Sequence, residues 1–212
     1  MDLNKCVVYD VEVLRTPDEV DGGWDNPKAM GFASGVAYSY EKDQYFFFLH
    51  EEGREKLIKL LDRNIAISFN GIKFDSCVLL GNNRRHDESG TTWRLDTATE
   101  PYVCWQNIDL LLEYIKARFQ YETVVEAEVK LGDKTIHDGS FGLDGLAQGT
   151  LGLNKTGHGA LAPLLYKDCK YEELLEYNLQ DVRLTKKLFD FVRLYGYLVD
   201  RTGKAVKIPD IL

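Results

Sequence analysis

Four carboxylates stand in three short signatures, widely separated along the chain. Val7-Val8-Tyr9-Asp10-Val11-Glu12 sets two of them two residues apart in an apolar, β-branched run. On a strand, residues at i and i+2 point to the same face. Asn70-Gly71-Ile72-Lys73-Phe74-Asp75 places a third where a strand gives way to a helix. Tyr177-Asn178-Leu179-Gln180-Asp181 places the fourth on a helix, one turn after a tyrosine. Residues at i and i+4 share a helical face. Carboxylates that a fold gathers make a hard-oxygen site suited to Mg²⁺ or Mn²⁺. Two such ions can clamp a phosphodiester for in-line attack by water.

Each signature also has an ordinary reading. Asp10 and Glu12 could be a surface pair at a strand end. Asn70 or Asp75 could cap a helix, and Tyr177 could be core packing. The conjunction, in a fixed order, carries the signal. Asp10 and Glu12 lie among Val7, Val8, Val11 and Val13, and two carboxylates buried there without a cation would be costly.

The elements that would position these groups read as follows. Residues 5–13 form a first strand, 15–28 a loop, and 31–40 and 44–49 two further strands around a Glu41-Lys42-Asp43 turn. An amphipathic helix spans 51–62, a short buried strand 65–69 and a helix 74–80. A strand end at 107–109 passes into a helix over 110–119, and a further helix spans 141–150. A glycine-rich loop occupies 152–159. The periodicity of Leu174, Leu175, Leu179, Val182, Leu188 and Val192 marks a long helix over 171–195. A hairpin is expected at 197–208, around Thr202-Gly203-Lys204. The segments 81–103 and 120–140 match no assignable pattern. Strands followed by alternating strands and helices predict a mixed sheet with helices packed against it. The expectation is one domain over residues 1–212.

With 212 residues, 44% hydrophobic and 28% charged, the composition is that of a globular protein with a real core. The net charge of −8 weighs against broad coating of DNA, which needs a cationic face. It leaves a nuclease open, because bound divalent ions neutralise a carboxylate cluster. Cys6, Cys77, Cys104 and Cys169 form no C-x-x-C pair, so reduced thiols in a cytoplasmic setting are expected. No apolar run is long enough to span a membrane, and no membrane partner is expected.

The motif set resembles the tyrosine (DEDDy) form of the DEDD superfamily of 3′–5′ exonucleases. The family's Asp-x-Glu strand is matched by Asp10 and Glu12. Its Asn-x-x-x-Phe-Asp is matched by Asn70, Phe74 and Asp75, and its Tyr-x-x-x-Asp by Tyr177 and Asp181. The histidine of the sister group, five residues before the last aspartate, is here Glu176. The rest of the chain is similar to stand-alone exonuclease domains akin to those of family B DNA polymerases. The resemblance implies a ribonuclease-H-like α/β fold, a mixed central sheet flanked by helices, with two Mg²⁺ or Mn²⁺ ions per site. It implies hydrolysis of single-stranded DNA from free 3′ ends to nucleoside 5′-monophosphates. Asp10 would bridge both ions. Glu12 and Asp181 would complete the site that activates water, and Asp75 would support the second ion. Tyr177 would orient the water. Asn70, Phe74, Lys155 and His158 are candidate substrate contacts. The alternatives are an RNA exonuclease of ribonuclease-D type and a non-catalytic nucleic-acid-binding module on the same fold.

One near-miss is set aside. Residues 149–156 approximate a phosphate-binding loop, but Asn154 replaces the glycine before Lys155, and a helix rather than a strand precedes it. Trp24, Trp93 and Trp105 could stack bases, with Trp105 better placed in a core. Arg84 and Arg85 could meet phosphate. The four histidines, His50, His86, His137 and His158, show no ligand spacing.

Overall fold

Strand β1, Cys6–Val13, is buried along nearly its whole length, and it lies inside the sheet with neighbours on both sides. In the computed structural model, which describes residues 2–81, 84–86, 93–95, 105–120, 139–155, 161–209 and 211, it pairs antiparallel with β2, Phe32–Ser39. It pairs parallel with β4, Ile65–Ser68. β3, Gln44–Leu49, adds to β2 antiparallel, and β7, Asn107–Asp109, adds to β4 parallel. The result is a five-stranded mixed sheet of order β3-β2-β1-β4-β7. Two short antiparallel pairs lie apart from it. One joins β5, Arg84–His86, to β6, Trp93–Leu95. The other joins β8, Tyr197–Val199, to β9, Ala205–Lys207.

Alternation along β1 divides the core. Val7, Tyr9, Val11 and Val13 pack with Leu57 and Leu61 of α2, His50–Leu61, and with Val78 and Leu79 of α3, Asp75–Leu80. Cys6 and Val8 face the other way. They meet Leu110 and Tyr114 of α4, Leu110–Phe119, and Val182, Leu188 and Phe189 of the long helix α7, Tyr171–Tyr195. Helices thus cover both faces. The period-2 rule puts Asp10 and Glu12 on the α7 side.

Most expected elements are found within a residue or two. The long helix has the expected bounds, with Glu172 and Glu173 in its first turn and Arg193 in its last, a charge order that suits the helix dipole. Gly196 ends it at φ 77°. The expected helix over 141–150 is α5, Leu143–Leu151, and the C-terminal hairpin is β8–β9. Two features went unread: α6, Leu161–Lys167, where Pro163 and the neighbouring glycines hide the pattern, and the β5–β6 pair. The expected loop between β1 and β2 holds two 3₁₀ turns and the short helix α1, Pro27–Met30. Among the described residues, no helix is long and apolar enough to cross a membrane.

Candidate metal centre

β4 ends at Ser68 while β1 runs on to Val13, so the β1 backbone beyond Val8 loses its β4 neighbour. Asp75 fills that gap. Its Oδ1 accepts the Val11 N–H at 2.9 Å, which brings the first turn of α3 against the strand segment carrying Asp10 and Glu12. The chain reaches Asp75 through a tight corner. Asn70 adopts a left-handed φ of 64°. A side chain on Gly71 would collide with Ser68, so only glycine fits there. Asp109, at the end of β7, accepts the N–H groups of Asn70 (2.8 Å) and Ile72 (3.1 Å), and caps α4 through Leu111 and Leu112. Sequence reasoning passed over Asp109. A carboxylate directly before a helix was its available signal.

From the opposite side α7 supplies Tyr177, Asn178 and Asp181. Carboxylate oxygens of Asp10, Glu12 and Asp181 all lie within 4.8 Å of one another. Asn178, fully buried, donates from Nδ2 to Asp10 Oδ2 at 2.6 Å. It was not singled out from the sequence, although a polar residue three before Asp181 shares that residue's helix face. Lys155 Nζ lies 2.5 Å from Asp181 Oδ2 and 5.2 Å from the centre of the Tyr177 ring. The lysine is placed by its own helix: α5 stops at Gly152, and the Lys155 N–H returns to Asp144 Oδ1 at 2.7 Å. Asp144 also holds Arg201 of the β8–β9 turn.

Burial and like charge dominate the electrostatics of the cluster. Burial, then the charges of Asp75, Asp181 and Glu12, push the Asp10 carboxyl well above the usual range. Burial and Asp181 do the same to Glu12. Asp75 is pushed up to about 7, burial outweighing its amide donors. Asp181 is raised by burial in spite of Lys155. The Tyr177 hydroxyl is pushed up to about 12 by burial and by Glu12. Among the described residues Asp181 Oδ1 is buried without a hydrogen-bond partner, and the buried Tyr177 hydroxyl has Lys155 as its polar neighbour. Among the described residues, Lys155 alone does not balance the charge of Asp10, Glu12 and Asp181 with Asp75 beside them. An all-oxygen donor set with a buried, unmatched oxygen fits a hard divalent cation.

The structure therefore brings Asp10, Glu12, Asp75, Tyr177 and Asp181 together. Lys155 joins them as a partner of Asp181. Asn70 contributes corner geometry, its carbonyl accepting the Phe74 N–H at 3.1 Å. Phe74 lies beside Trp24, ring centres 5.8 Å apart. His158 lies outside the described residues, as do His137 and Cys104. Trp105 is buried. Among the described residues no disulfide forms, and Cys6 and Cys77 are buried. The near-miss phosphate loop is instead the end of α5. A side chain on Gly149 would strike the backbone of Val199 and Asp200, and the Thr150 hydroxyl is engaged with Val199. No protein-family model matches the chain, and no curated protein matches it.

Proposed function

We propose that this chain is a divalent-metal-dependent 3′–5′ exonuclease that hydrolyses single-stranded DNA to nucleoside 5′-monophosphates. The observation that carries the reading is the convergence of Asp10, Glu12 and Asp181, with Asp75 held against the same strand, beside the buried Tyr177 hydroxyl. The mixed sheet with helices on both faces supports the ribonuclease-H-like reading that goes with it.

Asp10, Glu12 and Asp181 would hold the ions, with Asp75 in support. When bound, Mg²⁺ or Mn²⁺ supplies Lewis acidity and charge stabilisation at the scissile phosphodiester. The protein's own groups do the rest. Asn178 fixes the Asp10 carboxylate by donating to one oxygen. Tyr177 keeps its proton at neutral pH and offers a fixed hydroxyl to orient the attacking water. Lys155 stays protonated, because the Asp181 charge more than offsets its burial. It sets a positive charge where a phosphate oxygen would come.

A degradation assay with matched 5′-labelled DNA and RNA strands, with Mg²⁺ or Mn²⁺, tests the reading. The expected result is a ladder of shortened DNA products that EDTA abolishes, with DNA preferred over RNA. Cutting should be faster on single strands than on a blunt duplex, whose end must unpair at a cost of a few kcal/mol. Immediate release of the labelled 5′ mononucleotide, or cleavage of a closed single-stranded circle, would overturn the 3′–5′ assignment.

A further inference from the structure

Trp24 is 61% exposed, an unusual state for the largest apolar side chain. It is also held firmly. It lies in the 3₁₀ turn Gly23–Asp25, whose ends are fixed by the Asp25 and Asn26 N–H groups bonded to Gly22 and Gly23 carbonyls. Asn26 donates from its side chain to the Asp21 carbonyl and caps α1 at Ala29. The preceding turn carries a capping box of Thr16 and Glu19, and Glu19 is ion-paired to Lys167 of α6. At its far end, the Arg15 guanidinium bonds the Ala29 carbonyl at 2.6 Å. The segment leaves β1 at Val13, one residue past Glu12, and its closing helix α1 packs against α3, the helix that begins at Asp75. Its tryptophan is inclined at 59° to Phe74, the residue directly before Asp75.

A rigid, exposed indole beside a carboxylate site has a specific use. Resting on the neighbouring ring of Phe74, it presents a face to solvent without first having to be ordered. Bases stack on such faces whatever their sequence. Resting on the exonuclease reading above, we propose that Trp24 stacks a nucleobase near the 3′ end of the substrate strand. It thereby holds the strand while the terminal phosphodiester reaches Asp10, Glu12 and Asp181. It is a binding residue, and the reacting atoms do not touch it.

The test uses two octamers: (dT)₈, and the same strand with abasic residues at its three 3′ positions. Trp24→Ala should raise KM for (dT)₈ roughly ten- to a hundredfold, the range of one lost base–aromatic stack. Its kcat should stay within about twofold, since only uniform binding is removed. On the abasic strand, wild type and variant should have equal KM. Trp24→Phe should restore much of the affinity. An unchanged KM on (dT)₈, or an equal loss on both strands, would overturn the stacking site. Tryptophan fluorescence during titration with (dT)₈ in EDTA gives a readout that needs no turnover. Quenching in wild type that disappears in Trp24→Ala supports the site. Absence of such quenching counts against it. Trp24-dependent quenching in a protein that hydrolyses neither strand would defeat the exonuclease reading and keep the stacking site.

Discussion

Two buried trios of tyrosine, aspartate and a cation stand in different parts of this protein. In one, Tyr114 and Arg118 of α4 meet Asp200 at the β8–β9 turn. Asp200 Oδ2 accepts from the Tyr114 hydroxyl (3.0 Å) and Arg118, and Oδ1 accepts from the N–H and hydroxyl of Thr202 and the N–H of Lys204. In the other, Tyr177 and Asp181 of α7 meet Lys155, yet among the described residues Asp181 Oδ1 has no partner. The two aspartates titrate in opposite directions. Burial pushes Asp200 up, but its donors outweigh that and take it down to about 2. Burial wins at Asp181 and raises it. Burial alone does not separate these two carboxylates. What separates them is whether the fold supplies their donors.

That contrast can be broken by substitution. The largest effect is expected at the open cluster. On the proposed reading, Asp10→Ala or Asp181→Ala should lower hydrolysis by at least about a thousandfold, since each would remove a direct metal ligand. The fold should survive, and Asp10→Ala in EDTA should melt no lower than wild type because like-charge repulsion goes with the side chain. Steady-state rates and thermal melts check both halves. Tyr177→Phe keeps the ring and deletes one hydroxyl, so the rate should fall roughly ten- to a thousandfold with KM little changed. Unchanged turnover would make Tyr177 a packing residue.

The closed trio should respond in stability instead. Asp200→Ala leaves Arg118 largely buried and unpaired, at a cost of about 3 kcal/mol by denaturant titration, with activity intact where the protein is folded. Its pH signature follows from the depressed pKa. The stabilisation from Asp200 is fully present above its unfolded value near pH 4 and is lost as pH falls towards about 2, an effect of about 2 kcal/mol. Asp200→Asn should flatten that part of the acid unfolding curve. Tyr114→Phe is expected to cost about 2 kcal/mol, the two hydrogen bonds its hydroxyl makes with Asp200 and Arg118, and to leave the rate unchanged.

Much of this was legible in the chain. The alternation of Val7, Tyr9, Val11 and Val13 against Asp10 and Glu12 gave the strand and its two faces. The spacing of Leu174, Val182 and Leu188 gave the long helix and the face on which Tyr177 and Asp181 lie. Other features depend on tertiary approach, which no local pattern encodes. Lys155 reads as a loop cation until α5 folds back and Asp144 places it on Asp181. Asn178 reads as a helix polar residue until β1 brings Asp10 to it. Asp200 reads as a turn residue, because its partners lie 82 to 86 positions earlier.

On the proposed reading, divalent metal completes the open cluster and does not bind the closed trio. Calorimetric titration with Mn²⁺ tests it directly. Wild type should bind Mn²⁺, Asp10→Ala should lose that binding, and Asp200→Asn should bind as wild type does. No binding by wild type, or undiminished binding by Asp10→Ala, would contradict the account.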